Sequence, residues 1–131
     1  MIPSISATCP VFPSENAEKV TRAVMNIFPD AVLNIQENEI SAEPGDTEHF
    51  GEQIRKQKIL DTARSVMMKG RKNTERTIFH LNKQAAYAGK ISFVEERTIL
   101  GTIKVTIEAE DITAFIELLA PHTVNGEEVK I

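Results

Sequence analysis

The side chains able to move protons or hold a metal are few and dispersed. His49, His80 and His122 are far apart and share none of the short spacings that build a zinc site. His80 sits in a strand pattern beside Phe79, which makes it a surface or half-buried strand residue rather than a ligand or base. Cys9, the one cysteine, falls on the apolar side of an alternating segment and reads as a buried thiol rather than a nucleophile. Glu95-Glu96 and the Glu108, Glu110, Asp111 group are carboxylate clusters of the kind that bind divalent cations or transfer protons. Asp111 is better placed as a helix N-cap, and the others as solvated turn residues. No GxGxxG, Walker A, GxSxG or HExxH string occurs. No catalytic residue, metal ligand or cofactor is therefore assigned, although a site assembled in space needs no linear motif.

Positive charge is the stronger signal. The formal net charge is −4, which argues against indiscriminate nucleic-acid binding. Yet segment 54–90 holds ten Lys and Arg against two acids, Asp61 and Glu75. Such a block in an acidic chain is a candidate anion-binding face. Its loop-like stretch 69–76 supplies Lys69, Arg71, Lys72 and Arg76 with Gly70, Asn73 and Thr74, the cations and polar groups that phosphate contacts use. Lys83 stands at the start of a short helix, an anion-friendly position. The predicted phosphate-contacting set is Arg55, Lys58, Lys69, Arg71, Lys72, Arg76 and Lys83. Arg64 is set apart, because Asp61 three residues earlier can pair with it. Stacking platforms are scarce, with six Phe, one Tyr and no Trp. Tyr87 can stack, but a tyrosine with one packed face is the commoner outcome. The competing reading of the block is a solvated face whose lysines pair with acids elsewhere in the chain.

These residues need elements to position them. Residues 4–12 alternate as a strand, with Pro10 marking an edge or the end of pairing. Ser14 is placed to cap a helix carrying Ala17, Val20, Val24, Ile27 and Phe28. A hairpin is expected over 31–43. Thr47 opens a long helix to about Lys69, closed by Gly70. It carries two apolar stripes, one of Ile59, Leu60, Ala63, Val66 and Met67, the other of Phe50, Ile54 and Met68. The second stripe is expected to be covered by the C-terminal half or by another subunit, so Phe50, Ile54 and Met68 are candidate homodimer contacts. A strand over 77–81, a short helix over 83–88, a strand over 91–94, a turn over 95–100, a strand over 103–107 and a helix from Asp111 to Pro121 follow. The polar tail is expected to be partly ordered at best. The order β-α-β-β-α-β-(short α)-β-β-α predicts an α+β fold, a largely antiparallel sheet with helices on one face.

The 131 residues suit one domain over 1–131, with halves at 1–70 and 71–131. A composition 41% hydrophobic and 26% charged excludes disordered and collagen-like chains. No apolar run reaches membrane-span length, so no membrane partner is expected, and no signal peptide is visible. One cysteine fits a reducing, cytoplasmic location.

Several strings carry a resemblance. They are Asn26-Ile27-Phe28-Pro29, Lys58 to Arg64, Leu81-Asn82-Lys83-Gln84-Ala85-Ala86, Gly89-Lys90-Ile91-Ser92-Phe93, Leu100-Gly101, and Leu119 to Thr123 with Gly126. In this order and spacing, from about Asn16 to Gly126, the chain resembles a family of small archaeal proteins grouped with predicted RNA-binding proteins, some proposed as exosome-associated. The resemblance implies an α+β fold similar to the large-subunit ribosomal protein that holds 5S ribosomal RNA, and a homodimer. It implies no activity and no catalytic residues. The leading reading is a non-enzymatic protein that binds structured RNA through its basic face. A homodimeric protein-interaction scaffold is the alternative, and a spatially assembled enzyme the third.

Overall fold

Alternating side chains draw the strands, and spacings of three and four draw the helices. The computed structural model describes residues 3–94, 101–124 and 127–128. Strand β1 (Ser4–Pro10) buries Ile5, Ala7 and Cys9 and turns Ser4 and Ser6 outward, and it ends at the proline that has no N–H to give. Helix α1 (Ala17–Ile27) begins after Asn16, not Ser14. Asn16 Oδ1 accepts from the N–H groups of Glu18 (2.8 Å) and Lys19 (3.3 Å). Ser14 is left inside a turn in which Glu15 N–H donates to Phe12 O and Phe12 N–H to Glu15 Oε1. Strands β2 (Val32–Ile35) and β3 (Glu39–Glu43) form the expected hairpin.

The long helix is instead two, α2 (Glu48–Lys56) and α3 (Leu60–Lys69). Lys58 adopts φ 58°, the left-handed conformation that ends a helix. Lys58 N–H donates to Arg55 O and Ile59 N–H to Ile54 O, the paired bonds of a Schellman stop with lysine where glycine is usual. The side chain of Gln57 fixes the break. Its Nε2 donates to Ile91 O (3.0 Å) and its Oε1 accepts from Ile91 N–H (2.8 Å). The two apolar stripes thus belong to two helices. Phe50 and Ile54 of α2 are 1% and 0% exposed, and the Phe50 ring packs among Phe28, Phe79 and Phe93. Both side chains are buried within the single chain, Phe50 among rings from both halves, so neither is a surface left for a second chain. Met68, half-buried at the end of α3, is the one member of the candidate dimer set with surface left.

Strand β4 (Arg76–Leu81), helix α4 (Lys83–Tyr87), strand β5 (Ile103–Glu108) and helix α5 (Ile112–Leu119) complete the domain. A two-residue pair follows, β6 (Thr123–Val124) with β7 (Glu127–Glu128). Asn82 caps α4 and Asp111 caps α5 through their side-chain oxygens. Gly70 closes α3 for want of space rather than for its φ. A Cβ there would lie 2.2 Å from Ile78 O, and Gly70 O accepts from Ile78 N–H. Segment 91–94 is not a full strand. It runs along β4 through a single bridge, with Asn82 N–H bonded to Ser92 O and Val94 N–H to His80 O. The expected turn at 95–100, with Glu95-Glu96, lies outside the described residues.

The sheet is antiparallel throughout, in the order β2-β3-β1-β5-β4. β1 and β5 pair from Ser4↔Glu108 to Thr8↔Lys104, so one sheet joins strands from both halves of the sequence. One face carries Ala7, Ile40, Phe79, Ile103, Val105 and Ile107 into the core beneath the helices. The other carries Ser6, Thr8, Ser41, Lys104 and Thr106 and is polar. The fold is α+β, as the alternation and hairpin spacing predict. No helix among the described residues is long and apolar enough to cross a membrane.

Candidate nucleic-acid interface

The basic block divides into three fates. The first group sits where α3 ends. Lys69, Arg71 and Lys72 are exposed, and Arg71 is fixed by its Nε donating to Met68 O (2.9 Å) and its Nη1 to Thr113 Oγ1 (2.8 Å). Arg71, Lys72, Asn73, Thr74, Met68 and Thr113 line an open depression of about 370 Å³. Two backbone bonds, Ala109 N–H to Glu75 O and Ile112 N–H to Thr74 O, strap this loop to the turn before α5. Cations, an amide and hydroxyls therefore surround a shallow basin on a braced loop, an arrangement that suits a phosphate.

The second group lies at the other end of α3, about 15 Å along a ten-residue helix. Lys56 and Lys58 flank Gln57, whose bonds to Ile91 bring Lys90 alongside. All three lysines are exposed. Arg55, one turn back, donates to Gly51 O (3.2 Å) and borders a groove with Phe115, Leu118 and Leu119.

The third fate is internal pairing, which removes expected contacts. Lys83 is 7% exposed; its ammonium donates to Pro10 O (2.7 Å) and Glu15 Oε1 (2.9 Å) and lies 5.1 Å from the Phe12 ring centroid. It is a buried structural cation, not a phosphate contact. Arg76 bonds Glu108 across the β4–β5 ladder, Nη2 to Oε1 at 2.9 Å. Arg64 turns to Glu117 of α5 (3.8 Å) rather than to Asp61, which accepts from Thr123 N–H and Oγ1. Acids outside the block thus neutralise part of it, as the solvated-face reading holds, while the two exposed groups remain.

The histidines do not converge. His49 Nε2 contacts Asn26 O, His80 Nδ1 contacts Thr102 Oγ1, and His122 is exposed. No metal-ligand cluster exists among the described residues. Cys9 is fully buried, and burial pushes its thiol up to about 11, so it is inert as a nucleophile.

One neighbourhood has no local signature in the sequence. Asn26 Nδ2 donates to the carbonyls of Ala86 (2.9 Å) and Tyr87 (3.1 Å), tying α1 to α4 and bringing Lys19 to the Tyr87 ring. Those partners are about sixty residues apart, and no local pattern links them.

A family model described as RNA binding matches residues 4–109. Similar proteins are archaeal. One from Archaeoglobus fulgidus, a UPF0200/UPF0201 protein, is 43% identical over 92% of this chain. The Aeropyrum pernix UPF0201 protein is 37% identical over 95% of this chain and 89% of its own length. The chain belongs to the UPF0201 family. It spans 38% of the length of the Archaeoglobus relative. The crystal structure of a UPF0201 protein from Methanococcus jannaschii superposes with a TM-score of 0.89 at 36% identity, covering 97% of this chain and 99% of that one. The UPF0201 fold therefore accounts for the whole described chain, and the RNA-binding family region includes both exposed basic groups.

Proposed function

We propose that the chain is a non-enzymatic cytoplasmic protein that binds structured RNA through backbone contacts at the two exposed basic groups. The observation that carries this is the basin formed by Arg71, Lys72, Asn73 and Thr74, with Lys69 beside it, inside the region that the RNA-binding family model matches, and closed by Thr113 just beyond that region. Lys58 and the neighbouring lysines at the far end of α3 form a second contact on the same strand. Cations and hydroxyls on a braced loop favour recognition of shape and phosphate over base identity. Replacing Lys69, Arg71 and Lys72 together by Ala is expected to lower the slope of log affinity against log salt by about 2. Thermal melting is expected to fall only slightly, through loss of the two Arg71 hydrogen bonds, since the exposed charges themselves add little stability. An unchanged slope moves the RNA contact elsewhere.

A self-associating scaffold has one observation behind it. Leu118 is 78% exposed beside half-buried Phe115 on the outer side of α5. Light scattering of wild type and Leu118→Glu decides it: a dimeric mass that falls on substitution supports this reading, and a monomeric wild type ends it.

A further inference from the structure

The groove between α1 and α4 has about 420 Å³ of space, within the range of small-ligand sites, and the proposed phosphate contacts make no use of it. Val20 and Ala23 form an apolar floor, and Tyr87, Lys19, Gln84 and Asn16 rise around it. Tyr87 is 39% exposed, and the Lys19 ammonium lies 6.0 Å from its ring centroid, the outer limit of a cation–π contact. The Oδ1 of Asn16 is occupied by the α1 cap, which directs its amide hydrogens to other partners. Gln84 is exposed and carries both a donor and an acceptor. Lys83 makes part of the wall, its charge already met by Glu15.

The platform is held before any ligand arrives. Asn26 bonds the last two carbonyls of α4, and His49 of α2 contacts Asn26 O, so three helices fix the tyrosine backbone. A pre-ordered site loses less entropy on binding. The chain continues from Tyr87 through Gly89, at φ +80°, to Lys90 and the Gln57 clamp, which leads to Lys58. An aromatic ring, a neighbouring ammonium and a continuing line of lysines match a base, its phosphate and the next stretch of backbone.

We propose that this groove holds one unpaired nucleotide of the bound RNA, its base stacked on Tyr87 and its phosphate met by Lys19. The inference rests on the RNA reading above and adds to it a single-stranded element beside the structured part. Lys19 swings from the ring to the phosphate as the base takes its place. Sequence preference is weak, because stacking accepts any base and Gln84 can serve as donor or acceptor.

Tyr87 is the only tyrosine and there is no tryptophan, so tyrosine emission reports this groove alone. The experiment measures the emission lifetime of the wild type against a short oligouridylate, uridine monophosphate and ribose 5-phosphate, with mobility shift as an independent readout of binding. The expected result is a saturable shortening of the lifetime by the oligouridylate, weaker shortening by the mononucleotide and none by the sugar phosphate. Tyr87→Leu is expected to weaken oligonucleotide binding by about fivefold or more, with Tyr87→Phe restoring it. Lys19→Ala is expected to lower the salt slope by about 0.7 with unchanged melting. A mobility shift with an unaltered tyrosine lifetime overturns the groove assignment and leaves the RNA reading standing. Shortening by the mononucleotide with no oligonucleotide binding overturns it in favour of a free-nucleotide site. Absence of any RNA binding at low salt sinks the RNA reading itself, and this inference with it.

Discussion

Lys58 occupies a backbone position that costs an L-residue about 1–2 kcal/mol relative to right-handed geometry and that glycine fills without strain. A lysine at such a position sets backbone strain against an exposed charge at the α2–α3 turn. Lys58→Gly is expected to raise stability by about 1 kcal/mol in denaturant melts while weakening RNA binding. A gain in stability with unchanged affinity would confine Lys58 to the turn. Cys9 yields a second residue-level expectation. Burial raises its thiol from 9.0 to about 11, so above pH 9 the unfolded chain loses a proton that the folded chain keeps. The stability linked to Cys9 is intact below pH 9 and falls as pH rises from 9 to about 11. Cys9→Ala should flatten that fall in melting curves taken across this range. At this scale the sequence showed which residues bear charge but not which charges are already occupied. Glu15 is 68 residues from Lys83 and Glu108 is 32 from Arg76, so only folding reveals these pairs.

Elements were legible where their signal is local. Alternation located β1, β4 and β5, and the caps at Asn82 and Asp111 followed from residue type. The break between α2 and α3 was not legible, because a lysine stands where a glycine would announce it and the amide of Gln57 reaches Ile91. The same helical wheel that put Phe50 opposite Met67 assumed one axis; two axes let both residues point into one core. β5 offers the clearest test of a one-sided sheet. Ile103, 0% exposed, should cost about 2–5 kcal/mol when cut to Ala. Thr106→Ala, on the polar face, should cost well under half of that in the same denaturant series. Equal losses would mean that the polar face is covered.

The whole molecule depends on contacts between its two sequence halves. β1 lies at the centre of the sheet between β3 and β5, and Phe50 packs on Phe79 and Phe93. A chain ending at residue 94 keeps the first four strands but gives β1 no β5, and it is expected to show no cooperative thermal transition by circular dichroism. A sharp transition would show that residues 1–94 fold without β5. The pairing of β1 with β5 also sets a timetable for synthesis. Residues 4–8 and 104–108 leave the ribosome about a hundred residues apart, an interval of roughly 5–20 s at ordinary translation rates. Through that interval β1 can pair with β3 on one side, while its other edge stays open to any strand nearby. The strand best protected in the finished protein is the one longest exposed while the protein is being made.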